Sequence, residues 1–169
     1  MNRAGDVRRR VHRWRREHRA PRHTVLRWVH HVSPRGPTTF GLGGRAIDQQ
    51  RPGAVEVAPG AVIGDNVAFV LGPEGRVVIG PGAVVGHRTV IAADDLVRIG
   101  AGCRVGLGAT ITDTWTYGRS ATGFPPPEPV ELGDGATVGP NAVLGPGALV
   151  PAGHTVPAGG RVDGTSGAG

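Results

Sequence analysis

The 169-residue chain contains no lysine; all 19 of its basic residues are arginine. It has one cysteine, Cys103, which excludes an intrachain disulfide framework and fits a reducing compartment. No run of about 18 apolar residues occurs, so no transmembrane helix is expected. The charged N-terminus lacks an apolar core segment, so no ordinary signal peptide is expected. These absences point to a cytoplasmic protein whose length suits one domain.

What the chain has in excess is glycine (30) and proline (15). Without a period, such a composition reads as low complexity; with a period, it reads as a repeat fold. The second excess is positive charge, net +6. It is not spread evenly. Residues 1–35 hold 11 arginines against Asp6 and Glu17, a net of +9, while the remainder holds 8 arginines against 11 acids, a net of −3. Five of the seven histidines sit in the same arm. Val11, Trp14 and His18, then Val25, Trp28, Val29 and Val32, recur at helical spacing around Pro21, which predicts two short basic helices. Such an arm can pack its Val/Trp stripe on the body or on another subunit. It can also lie on an anionic membrane surface, at the inner face of the membrane. Nucleic acid is disfavoured because no base-reading motif accompanies the charge.

From Val57 onward the glycines become periodic. Large apolar residues recur every six positions in five trios: Val57, Ile63, Phe69; Ile79, Val85, Ile91; Ile99, Val105, Ile111; Leu132, Val138, Leu144; Val150, Val156, Val162. Glycine often follows directly, and a small residue often comes four positions after, as at Ala61, Ala83, Thr89, Cys103, Ala109 and Ala136. Asp65–Asn66, Pro81–Gly82 and Asp134–Gly135 supply turn chemistry. A period of six suits neither a helix nor a hairpin meander. It suits a solenoid of short strands and tight corners. The chain is therefore read as mainly β: a parallel β-helix of triangular cross-section, about five coils of three hexads, with the basic helical arm before it. At about 4.8 Å per coil, five coils would make a prism about 24 Å tall.

The period breaks after Phe69, Ile91 and Ile111, in each case after a third hexad. All insertions therefore leave the prism at one corner. The longest, residues 115–131, carries Trp115, Tyr117 and Arg119, and a long loop on a regular scaffold is where function usually sits. The expected organisation is an arm over 1–35, a linker over 36–56, the repeat over 57–163 with its inserted loop, and a flexible tail over 164–169.

The hexads, together with Ile111-Thr112-Asp113 before the loop and Leu132-Gly133-Asp134-Gly135-Ala136-Thr137-Val138-Gly139 after it, resemble the hexapeptide-repeat acyltransferases. The nearest likeness is to the maltose- and nodulation-type O-acetyltransferases and enzymes acting on cell-surface polysaccharides. The resemblance covers about residues 50–163. It implies a left-handed β-helix, a homotrimer with active sites between prisms, acetyl-CoA as cosubstrate and no metal. It further implies a loop histidine that deprotonates a sugar or glycan hydroxyl for direct attack on the thioester. Here Thr116 stands at the expected histidine position, and the loop holds no histidine.

His87, at a corner of the second trio, is then the candidate base, with Asp113 at the foot of the loop; His154, near the end of the repeat, is the other histidine of the body. Trp115, Tyr117 and Arg119 are candidate acceptor-binding residues. Gly139, Asn141, Ala158 and Arg161 are candidate CoA-binding residues, with Arg161 suited to a phosphate. Two readings compete: a CoA-dependent O-acyltransferase, and a catalytically degenerate hexapeptide protein that serves as a structural or interaction scaffold. A zinc hydratase of the same fold needs three converging histidines, and the repeat has only two.

Overall fold

The computed structural model describes residues 32–34, 39–41, 45–47, 53–115 and 125–165. The predicted arm helices, most of the inserted loop with Thr116, Tyr117 and Arg119, and the last four residues lie outside them.

Among the described residues, eighteen short strands form three parallel sheets of six strands each. Face I consists of Val32–Pro34, Val55–Val57, Arg76–Ile79, Leu96–Ile99, Val130–Leu132 and Leu149–Val150. Face II consists of Thr39–Phe40, Val62–Ile63, Val84–Val85, Arg104–Val105, Thr137–Val138 and Thr155–Val156. Face III consists of Arg45–Ile47, Ala68–Leu71, Val90–Ala93, Thr110–Thr112, Val143–Leu144 and Arg161–Val162. The chain visits the faces in the order I, II, III, so each strand pairs with its counterpart one coil away. This is a parallel β-solenoid.

The hexads explain the register. Val57 pairs with Ile79, Ile79 with Ile99, Ile99 with Leu132 and Leu132 with Val150, forming one inward column of face I. The matching columns on the other faces run from Ile63 to Val156 and from Phe69 to Val162. Fourteen of the fifteen hexad residues are buried, and Val162, on the last rung, is partly so. Each fully buried aliphatic side chain contributes about 1.5–3 kcal/mol of transfer free energy. The small residues beside them are buried as well, from Ala61 to Ala148. Where that inward position is polar, a corner carbonyl receives it. The Thr89 hydroxyl donates to Gly86 O at 2.8 Å, and the Cys103 thiol to Gly133 O at 3.0 Å.

Where glycine follows a hexad residue, coil-to-coil contact sets it. A Cβ on Gly86 would lie 2.7 Å from the Gly106 carbonyl carbon and the Leu107 nitrogen of the next coil. No side chain fits there.

The corner from I to II and the corner from II to III each take four residues in every coil. Every insertion falls at the third corner, from III back to I, as the broken period predicts. The solenoid also reaches further upstream than the hexads. Five rungs run from Val57 to Val162, and a sixth, built from Val32–Pro34, Thr39–Phe40 and Arg45–Ile47, precedes them. Val32 is thus part of a strand paired with Val55 rather than the last member of the arm's helical stripe, and Thr39–Phe40 and Arg45–Ile47 of the linker are strands as well. Pro34 is tolerated because this rung is the edge of its sheet, where one strand side needs no amide donor.

Candidate functional site

The candidate residues divide between two corners. His87, Gly139, Asn141 and Ala158 lie at or beside the corner between faces II and III. Asp113 and Trp115 lie at the insertion corner between faces III and I. His87 and Asp113 therefore do not meet within one chain. His154 lies at the remaining corner, exposed, with Nδ1 3.3 Å from Ala152 O.

Asp113 is fully buried. Its Oδ1 accepts the N–H of Asp94 at 2.8 Å and its Oδ2 accepts the N–H of Asp95 at 2.7 Å. The carboxylate thus closes the tight connection Asp94–Asp95 of the coil before it. Burial pushes the Asp113 carboxyl above the ordinary aspartate range, and the two amide N–H groups pull it partway back. In this geometry Asp113 supports a turn of the neighbouring coil.

Asp113 leads into a recess of about 450 Å³ lined by Trp115, Pro125, Glu128, Arg161, Asp163 and Thr165 among others. The Arg161 guanidinium carbon lies 4.6 Å from the centre of the Trp115 ring, a cation–π contact. Arg161 Nε also donates to Asp163 Oδ2 at 3.3 Å. Trp115 rests against Gly145, where an added Cβ would collide with the indole. The structure thus brings together one residue read as acceptor-binding and one read as CoA-binding. Gly139, Asn141 and Ala158 are elsewhere, at a corner where the coils touch. A Cβ on Gly139 would lie 2.7 Å from the Ala158 Cα, and Asn141 adopts a left-handed backbone with φ of 55°.

His87 is exposed and has a partner that sequence reading missed. Its Nδ1 lies 2.9 Å from the backbone N–H of Asp65 and 3.2 Å from Asp65 Oδ2. The two contacts exclude each other at one nitrogen. If Nδ1 accepts the backbone N–H, the neutral ring carries its proton on Nε2 and presents a donor. If Nδ1 donates to the carboxylate, Nε2 has a free lone pair and presents a base. The signal for Asp65 was in the sequence: it follows Gly64 as His87 follows Gly86, and Ile63 pairs with Val85. It was read only as a turn residue.

Among the described residues, no group of three His, Cys, Asp or Glu is placed to hold a metal ion. The chain matches no protein-family model, and no curated protein matches it in sequence.

Proposed function

We propose that this solenoid is an acyl-CoA-dependent O-acyltransferase of the left-handed hexapeptide type, a homotrimer that uses acetyl-CoA to acylate a hydroxyl of a sugar or cell-surface glycan. The observation that carries this reading is the Asp65–His87 pair: an exposed imidazole with a carboxylate 3.2 Å behind Nδ1. With Nδ1–H donated to Asp65, Nε2 removes the proton of the acceptor hydroxyl. The oxygen attacks the thioester carbonyl carbon, the C–S bond breaks, and the leaving thiolate takes the proton back from the imidazolium. Neutral imidazole suits this work near pH 7, and a carboxylate on the far nitrogen fixes the productive tautomer. In a trimer, the His87 corner of one protomer would face the insertion corner of the next. Trp115 and Arg161 then offer an indole for stacking and a guanidinium for phosphate. The basic arm would hold the cytoplasmic enzyme against an anionic membrane surface at its inner face, near a lipid-linked or surface glycan.

A second reading, the catalytically degenerate scaffold, is favoured by one specific observation. Other corners use side chains of the following coil as simple acceptors: Asp134 Oδ1 takes the Ala101 N–H at 2.7 Å, and Asp113 takes that of Asp94. His87 receiving the Asp65 N–H fits the same pattern.

Calorimetric titration with acetyl-CoA, followed by thioester turnover with a panel of sugars, separates the two. Binding and turnover are expected. Absence of binding at millimolar CoA would leave the scaffold.

A further inference from the structure

The corner between faces II and III repeats one backbone device. One residue per coil adopts the left-handed region, and from Arg88 onward its N–H donates to the carbonyl of the corner residue one coil before. From the second to the sixth rung these residues are Asn66, Arg88, Gly108, Asn141 and Gly159. Four of the five are Asn or Gly, the residues that accept this conformation at least cost. The corner between faces I and II does the same with glycine throughout, at Gly60, Gly82, Gly102, Gly135 and Gly153.

Arg88 is the exception, with φ of 59°. Its N–H makes the same bond as its counterparts, to Asp65 O at 2.8 Å. The backbone therefore gives no reason for an arginine. Nor does packing: Arg88 is exposed, and no salt bridge or side-chain hydrogen bond engages its guanidinium among the described residues. The left-handed backbone thus carries, at the position after His87, an arginine whose guanidinium has no partner among the described residues. Strained side-chain-bearing positions that the fold would fill better with glycine are characteristic of ligand contacts.

We propose that Arg88 is a ligand-binding residue whose guanidinium holds an anionic phosphate group next to the His87 imidazole. A planar guanidinium offers paired N–H donors that match phosphate oxygens, and the exposed corner leaves them free. With His87 at the thioester, the phosphate belongs to a phosphorylated acceptor, because the pantetheine arm keeps CoA's own phosphates away from the reacting carbonyl. This inference rests on His87 lying in the working site, but its test is separable from turnover.

Two kinds of measurement on the full chain decide it. The first is stability. Arg88→Asn and Arg88→Gly keep the backbone bond and relieve the strain, so each should melt about 2–4 °C higher than wild type. Arg88→Lys should show no gain. The second is titration calorimetry with inorganic pyrophosphate, CoA and dephospho-CoA. Arg88→Asn and Arg88→Gly should bind pyrophosphate about tenfold more weakly than wild type, and Arg88→Lys should recover part of the loss. A loss seen with CoA or dephospho-CoA would place a CoA phosphate beside His87, and so contradict the assignment of His87 as the base at the thioester. A loss seen with pyrophosphate but with neither CoA form points to the acceptor. Wild type that binds pyrophosphate but not CoA keeps the anion site and removes the acyl-CoA reading. Variants that bind pyrophosphate as wild type does, or a wild type that does not bind it, overturn the proposal.

Discussion

Trp115 and Arg161 meet across two coils: the guanidinium carbon of Arg161, on the last rung of face III, stands 4.6 Å from the ring centre of Trp115, at the start of the inserted loop. Gly145 on the rung between them makes room for the indole. One aromatic side chain thus ties the loop to the end of the solenoid. Trp115→Ala should destabilise the protein by about 1 kcal/mol, since the ring is half exposed and the contact is a surface one. A double-mutant cycle with Arg161→Ala, followed by urea denaturation, should show a coupling of about 0.5 kcal/mol. Additive losses would mean that the stacking contributes nothing.

Asp113 gives a pH signature. Its carboxyl titrates higher in the folded chain than when unfolded, so the folded state binds the extra proton within that window. The contribution of Asp113 is therefore fully present at low pH, below the unfolded value of 3.8, and is lost as pH rises through the folded value. Asp113→Asn has no such titration but surrenders one of the two amide bonds, at a cost of about 1–2 kcal/mol. The stability gap between wild type and variant should narrow as pH rises above the unfolded value and through the raised folded one. Urea unfolding at several pH values measures this, and parallel curves would contradict it.

The core makes a sharper structural prediction. Ile111→Ala leaves a cavity in the middle rungs and should cost about 2–5 kcal/mol, while Val162→Ala, on the open last rung, should cost under about 1.5 kcal/mol. Gly86→Ala should be at least as damaging as Ile111→Ala, because its Cβ meets backbone of the next coil at 2.7 Å, not a side chain that can turn away. Thermal melts of the three variants rank these effects.

The solenoid was legible because its physics is local: each hexad carries its own large inward residue, corner glycine and small neighbour. The insertion corner was legible from the broken spacing after Phe69, Ile91 and Ile111. The first rung was not, since of its period-six positions Pro34, Phe40 and Ala46 only Phe40 is a large apolar residue, and Val32 also completes a helical stripe. The site contacts were hidden for another reason. Asp65 meets His87, and Trp115 meets Arg161, only once the coils are stacked in register across insertions of unequal length. The strain at Arg88 was invisible until its column could be compared with Gly108 and Asn141.

The most direct test is the rate of CoA release from acetyl-CoA in the presence of sugar acceptors, for wild type, His87→Ala and Asp65→Asn. If His87 is the base, wild type turns over, His87→Ala falls by about 10²–10⁴-fold with CoA binding retained, and Asp65→Asn falls by a smaller factor. Turnover by His87→Ala equal to that of wild type would contradict the assignment.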